Sequence, residues 1–507
     1  MFKKKTKRVN SRKVMEGQWT ANRRAFFESG AFGLTLLLLA FTLISGFVLS
    51  VGVGSNEQEG SWHGFGWKAF LLNGSLMLVL SVALGLYIAA NEPRVVRNYL
   101  RSSLLLGMLL IMFAIVRLGA VQGWQPYLTV VPVMITGIIV TVAYNQRFAL
   151  GISSFLALIG LLAMTDILET LAQGLGVLLA AGVGAGIAVL LLRKIRSFTK
   201  LIEVCTLAGL VVFLLIFVIG LWQGIEVGEI LIDCLYGALG ALAVGFLMQG
   251  ILPLTERLFR TATDMTLLSY GEATMPLLKR LAVEAPGTFN HSWQIGMMSE
   301  AAAEAVGANG LLCRVGSYYH DIGKINKPRY FIENQEENFN QHKELSPTMS
   351  RMIIVGHVKD GMELMREYKI PRVLSQFTET HHGTTLVEYF YYEAVKKGTA
   401  IDKEVSESEF RYPGPKPATI EAAIVMLADA VEGATRAMEE PTPSRIEAVV
   451  HNMAMKRLQD GQFNQCDLTM RQLNIIEESL TKSLCAMYHA RITYPKTEKM
   501  TKRKIKD

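Results

Sequence analysis

The stretch YYHDIGKINKPRYFIENQ, residues 318–335, sets an imidazole beside a carboxylate, His320 and Asp321, and follows them with Gly323 and Lys324 before running into polar and aromatic residues. What surrounds it decides the fold. Just upstream, GLLCRVGSYYH places apolar residues three and four apart, and the same spacing recurs in MPLLKRLAVEA, SEAAAEAVGA, GMELMREY, EAAIVMLADAVEGA and IEAVVHNMAMKRL. Alternating, strand-like runs are scarce from residue 254 onward, so this half is expected to be an all-helical soluble domain. The excursion KKGTAIDKEVSESEFRYPGPKPA, with three prolines and many charges, reads as a surface loop between helices. The tail TEKMTKRKIKD is charged throughout and reads as disordered.

The first half is of another kind. A chain of 507 residues that is 50% hydrophobic with a net charge of +7 is too long for one small domain and too apolar to be wholly soluble. Apolar runs lie near 30–54, 67–90, 102–121, 126–144, 148–165, 170–192, 201–222 and 227–250, and each approaches the roughly 20 residues that span a bilayer. The first is too long for a signal peptide and has no small-residue cleavage site after it. The expected organisation is a basic N-terminus (1–29), a first transmembrane helix (30–54), a short outer loop (55–66), about seven further transmembrane helices (67–254), a soluble domain (255–495) and a charged tail (496–507). Five cysteines, with no Cys-x-x-Cys spacing, signal neither a disulfide framework nor a thiolate zinc site.

Lysine and arginine set the orientation. MFKKKTKRVNSRK, the connection with Arg94, Arg97 and Arg101, Arg147, and RKIRSFTK fall on one side; SNEQEGSWHGFG, QGWQ, DILE and QGIEVGE, free of Lys and Arg, fall on the other. An even number of spans then puts the soluble domain in the cytoplasm of a multi-pass cell-membrane protein. Arg117, Asp166, Glu203 and Asp233 lie within or at the edges of spans, where charge is costly. Arg117 and Asp233 are expected to pair inside the bundle, and LLAAGVGAGIA to mark close helix packing.

Chemistry is concentrated in the histidines. Five of the nine fall at His291, His320, His357, His381 and His382, with Asp321 adjoining His320 and Asp429 later on a helical run. Any one alone reads as an ordinary core or surface residue; no structural need explains the set together. Imidazole and carboxylate without thiolate suit Mn²⁺, Fe²⁺, Ni²⁺ or Co²⁺ better than a structural zinc. Seven such groups are too many for one ion and suit two, with a carboxylate bridging them for in-line displacement at phosphorus. His63, His451 and His489 lie outside the pattern. Lys324, three residues past Asp321, is placed to contact a phosphate oxygen. Arg436, two turns beyond Asp429 on the same helical face, orients a carboxylate or reaches phosphate. Thr384 and Thr385 lie beside His382, and His342 lies in the loop after the His-Asp pair. Tyr330, Phe331, Tyr389 and Tyr392 are aromatic surfaces that could hold a base, although an aromatic on an apolar helix face is more often core.

The order His291, His320-Asp321, His357, His381-His382, Asp429 resembles the two-metal HD phosphohydrolase superfamily. LAVEAPGTFNHS, YYHDIGK, RYFIENQ, GHVKDG, HHGTTLVEYFYYEA, IVMLADAVEGATR and MYHARITYP, across about 260–495, resemble more narrowly the PgpH-type, membrane-anchored, seven-transmembrane HD phosphodiesterases of cyclic di-AMP. The resemblance implies an all-α protein, a polytopic bundle followed by a cytoplasmic HD domain. It implies that His291, His320, Asp321, His357, His381, His382 and Asp429 hold two divalent ions, Mn²⁺ or Fe²⁺, with Asp321 bridging. It also implies that the chain hydrolyses cyclic di-AMP to pApA. The bilayer and the cyclic dinucleotide are then its partners, a nucleic-acid polymer is not, and a homo-oligomer stays open. Cyclic di-GMP or another nucleotide, and a non-catalytic receptor or transporter, are the alternatives; the Gly-Tyr-Pro that follows HDIGK in the cyclic di-GMP enzymes is replaced here by NKPRYF. Two departures stand out. SNEQEGSWHGFG occupies the place of the family's large extracellular domain, and Asn290 and Gly433 replace a usual His and Ala.

Overall fold

The structure, a computed structural model, describes residues 30–53, 62–63, 67–165, 168, 170–192, 195–335, 340–399 and 405–489. The basic N-terminus, Asp166, Arg193, Lys194, most of the 55–66 loop and the charged tail lie outside the described residues. The chain divides into two compact units, Met1–Thr263 and Asp264–Asp507.

Among its described residues the first unit contains eight helices long and apolar enough to cross a membrane. They are α1 (Ala31–Ser50), α2 (Trp67–Asn91), α3 (Tyr99–Val121), α4 (Val130–Ala143, preceded by a 3₁₀ turn Pro126–Thr129), α5 (Gln146–Ala163), α6 (Leu171–Leu191), α7 (Phe198–Gln223) and α8 (Val227–Phe259). Apolar side chains face outward all round the bundle, among them Leu71, Leu86, Leu210 and Leu214, as a lipid solvent requires. Connections are tight because polar side chains close the helix starts: Asn98, Asn145, Thr170 and Ser197 each accept a backbone N–H of the following first turn. The central helix is α4, buried almost throughout between α5, α6 and α8. A two-residue antiparallel pair, Gly52–Val53 with Trp62–His63, folds the connection after α1 back on itself. Helix α8 has 33 residues, about 50 Å at 1.5 Å per residue, so it continues well past the ~30 Å that a bilayer core needs.

Arg117 and Asp233 do not pair. Arg117 donates to Ala163 O at 2.9 Å and Val51 O at 3.0 Å, the carbonyls at the C-terminal ends of α5 and α1. Such carbonyls have no partner within their own helix and carry the negative end of its dipole, so they attract the guanidinium.

The second unit is helical: α9 (Asp264–Tyr270), α10 (Pro276–Glu284), α11 (Pro286–Ala305), α12 (Gly310–His320), α13 (Pro347–Glu367), α14 (Arg372–Thr380), α15 (Glu388–Thr399), α16 (Ile420–Arg436), α17 (Pro443–Gln459) and α18 (Met470–His489). Helix α16 forms its spine. Thr419 caps it by accepting Ala422 N, every residue from 422 to 428 is buried, and α11, α12, α14, α17 and α18 pack around it. Burying each Val, Ile, Leu or Met of this segment contributes about 1.5–3 kcal/mol. Of the loop expected over 396–418, residues 396–399 belong to α15, and the rest is only partly a surface loop. Phe410 and Tyr412 are buried within it, because Arg411 pairs with Asp460 at 3.0 Å and draws the segment inward.

Candidate metal centre

The adjacent pair is split between two structural roles. Helix α12 ends at His320, and Asp321 follows at its C-terminus with φ −104° and ψ 16°, so the two side chains leave the backbone in different directions. The next turn, Ile322–Asn326, is 3₁₀ and lies against α13. Gly323 permits this approach: a Cβ there would sit 1.9 Å from His357 O and 2.4 Å from Gly361 N. One glycine therefore brings the His-Asp turn onto the helix that carries His357.

Around that turn the seven expected residues converge. His291 comes from the middle of α11, His357 from α13, His381 and His382 from the end of α14, and Asp429 from α16. Asp321 is their hub. Its Oδ1 lies 3.2 Å from His357 Nε2 and 3.4 Å from His381 Nε2, and its Oδ2 lies 3.3 Å from His320 Nε2 and 3.6 Å from His291 Nε2. Asp429 spans the same width, with Oδ1 3.1 Å from His291 Nε2 and Oδ2 4.0 Å from His382 Nδ1. The donors fall into two groups that could each hold a metal ion, Asp321–His357–His381–His382 and His291–His320–Asp321, and Asp321 belongs to both.

Hydrogen bonding on the outer side of each ring aims the inner nitrogen. His320 Nδ1 lies 2.7 Å from Ser317 O, His357 Nδ1 2.5 Å from Ile354 O, and His381 Nδ1 3.0 Å from Phe377 O. Carbonyls can only accept, so these Nδ1 atoms carry protons and it is the Nε2 atoms that point inward, each a metal ligand in the neutral form of its ring. Two of them, on His357 and His381, stand 3.2 Å apart. His320 Nε2 and Asp321 Oδ1 are buried with no hydrogen-bond partner among the described residues. Imidazole nitrogens that face each other, and buried polar atoms left without partners, fit a bound cation.

Charge in the cluster follows from geometry. Burial alone would raise the Asp321 carboxyl, but Lys324 and His320 hold it well below the usual carboxylate range. Burial opposes the charge on His320, yet Asp321 and Asp429 push it up to about 10. On the other side, burial lowers His381 and His382, and neighbouring imidazoles add to the shift of His382.

Lys324 sits inside this network: its Nζ lies 2.6 Å from Asp321 Oδ2 and 2.8 Å from Glu333 Oε1, with Phe331 beneath it at 5.0 Å. Arg436 pairs with Glu432 and reaches His291 Nδ1 at 2.9 Å. Thr384 and Thr385 are turned away from the donors, Thr384 bonding Gln462 and Thr385 the His382 carbonyl. His342 accepts or donates no contact within the cluster; its Nε2 lies 2.8 Å from Tyr330 O, and its ring packs on Tyr330 and Phe390. His451 pairs with Glu477 outside the cluster. Of the departures from the family pattern, Gly433 faces open space where a Cβ would touch nothing, and Asn290 lines a cavity beside His291.

Two features escaped the sequence reading. Glu432, buried, sets its Oε2 2.9 Å from His291 Nδ1 as an ion-pair contact rather than an aligned hydrogen bond. It lies three residues after Asp429, the helical spacing that already singled out Arg436, and that spacing is the signal that could have found it. The second is the cavity itself, about 930 Å³, which opens beside His291, Glu333 and Arg436 and is walled by Trp293, Met297 and Tyr488. None of Tyr330, Phe331, Tyr389 and Tyr392 lines it.

Residues 67–263 match the family model described as a 7TM receptor with intracellular HD hydrolase, and residues 288–434 match the HD domain, which implies a divalent-metal site. The chain is 38% identical over 413 residues to the cyclic-di-AMP phosphodiesterase PgpH of Bacillus subtilis, covering 80% of this chain and 57% of that protein. To the Listeria monocytogenes protein of the same name it is 42% identical over 260 residues, 51% of this chain and 36% of that one. The chain thus spans roughly a third to just over half of the length of these relatives. A crystal structure of the L. monocytogenes PgpH HD domain in complex with cyclic-di-AMP is 44% identical, covering 43% of this chain and 100% of that one, with a TM-score of 0.41.

Proposed function

We propose that this chain, whose residues 67–263 and 288–434 place it in the family of 7TM proteins with an intracellular HD hydrolase, is a membrane-bound, two-metal phosphodiesterase that hydrolyses cyclic di-AMP to pApA. The observation that carries the reading is the pair of donor groups sharing Asp321, since a shared carboxylate is what holds two cations close enough to act on one phosphoryl group. The names of the two PgpH relatives support the substrate.

In this reading His291, His320, His357, His381, His382, Asp321 and Asp429 hold two divalent ions, Mn²⁺ or Fe²⁺, as the nitrogen and oxygen donor set favours. Bound there, the ions supply an acidified water and positive charge for the phosphoryl oxygens. The chain's own residues do the rest. The carbonyls of Ser317, Ile354 and Phe377 fix the ring orientations, so the donors need little rearrangement. Lys324, its pKa raised by Asp321 and Glu333 against the opposing effect of burial, stays cationic and stands next to Asp321 as a phosphate contact. Arg436 adds a second cation at the wall of the 930 Å³ cavity, where Trp293 and Tyr488 offer purine-sized apolar surfaces. The soluble unit is assigned to the cytoplasm by the distribution of Lys and Arg in the connections.

The full chain in detergent with Mn²⁺, offered cyclic di-AMP, cyclic di-GMP and dGTP in turn and followed by chromatography of the products, tests the proposal. Turnover of cyclic di-AMP to pApA is expected to exceed the others. Preferred cleavage of cyclic di-GMP or dGTP would reassign the substrate, and binding without product would make the unit a receptor.

A further inference from the structure

The first unit carries a cavity of its own, of about 620 Å³. That is the size of a small-molecule site. It is built at the bundle end where the connections lack Lys and Arg: Gln125 from the turn after α3, Gln173 from the start of α6, Trp222 and Gln223 from the end of α7, and Glu229 and Asp233 from the first turns of α8 all line it. Glu229 and Asp233 are four residues apart on one helix and so present their carboxylates on one face. No Lys or Arg lines the cavity, and neither acid forms an ion pair among the described residues. Gln223 Nε2 is buried with no hydrogen-bond partner among the described residues, a cost that a bound acceptor would relieve. Trp222, 81% exposed, stands at the lip, where an indole face attracts cations.

We propose that this cavity binds a small organic ammonium group, whose charge is met by Glu229 and Asp233, whose other polar atoms are met by Gln125, Gln173 and Gln223, and whose entry is flanked by Trp222. An acidic wall rejects anions, and three amides that both donate and accept select a ligand with hydrogen-bonding groups over a bare metal ion, which takes an oxygen cage and has no use for the amide N–H donors. The site goes beyond the phosphodiesterase reading and does not depend on it.

Ammonium groups come free or on ethanolamine lipids, and the test separates the two. Full-length chain in maltoside micelles, which carry no ammonium, is dialysed to equilibrium against labelled putrescine, spermidine, lysine and choline; a parallel sample receives phosphatidylethanolamine and is assayed for lipid retained through gel filtration. At least one of these probes is expected to bind at one site per chain. Glu229→Gln and Asp233→Asn should each weaken it at least tenfold, while Glu203→Gln, elsewhere in the bundle, leaves it unchanged. Each variant's gel-filtration profile and thermal unfolding midpoint report that it is folded. Absence of binding by all four amines and the lipid to the folded parent, or binding that survives the double variant Glu229→Gln/Asp233→Asn, would overturn the proposal.

Discussion

Removing Glu432 tests whether the centre depends on more than its direct donors. The carboxylate is 4% exposed and lies 2.9 Å from His291 Nδ1, while its other oxygen pairs with Arg436. With His291 presenting Nε2 to the cluster, Glu432 holds the opposite edge of the ring and raises its basicity; loss of such a partner weakens metal binding or activity by about 10–100-fold, or about 1.4–2.8 kcal/mol. The two ends of that range separate by variant. Glu432→Gln keeps an oxygen to orient the ring but loses the charge, so about tenfold is expected. Glu432→Ala loses both, so the fall should approach a hundredfold. The structural cost should stay below the ~3–5 kcal/mol of a fully buried broken pair, because Arg436, at 39% exposed, can turn to water. Competition of the full chain with a Mn²⁺ indicator, read beside kcat on cyclic di-AMP, measures both. If Glu432→Ala binds Mn²⁺ as tightly as the parent, the coupling through His291 is refuted.

Asp321→Ala should lower metal content and turnover together, the latter by orders of magnitude, since the residue serves both donor groups; elemental analysis showing both metals retained with most of the activity would sink the two-metal reading. His451→Ala, at a side chain 59% exposed and paired only with Glu477, should leave turnover nearly intact and change stability by at most about 1 kcal/mol. His342→Ala should keep full metal content, because the ring packs on Tyr330 and Phe390 rather than the cluster, so any loss should appear in KM. In metal-free protein, His291 and His320 have raised pKa values, so their stabilisation is complete below the ordinary ~6.5 and fades as pH climbs toward the raised values. His381 and His382 have lowered values, so theirs is complete above ~6.5 and is lost as pH falls, by up to about 1.4 kcal/mol per pH unit per group. Thermal unfolding of the metal-free chain should therefore peak near neutrality, and a profile rising steadily from pH 5 to 9 would contradict this.

Properties carried by local sequence were readable in advance. Apolar runs of about 20 residues are a property of consecutive side chains, and the described residues contain eight helices of that kind. The candidate donors were equally legible, because imidazoles and carboxylates in such number have few uses on a helical domain, and the fold brings all seven together. Loop chemistry was partly legible: HDIGK announced a turn, but only the 1.9 Å approach to His357 O explains its glycine.

What the sequence alone determined, then, was composition, periodicity and residue type: a membrane-spanning half, an all-helical half and a list of donors. Tertiary structure decided who meets whom. It made Asp321 common to two donor groups and gave Lys324 to Glu333 as well as Asp321. It set Glu432 behind His291, turned Arg117 to helix-end carbonyls in place of Asp233, and walled the large cavity with Trp293 and Tyr488 rather than Tyr330 or Tyr389. The physical reason is the same in each case. A charged or aromatic side chain has several acceptable partners of comparable energy, and which one it takes depends on helices far apart in sequence whose packing is settled by the burial of the whole core.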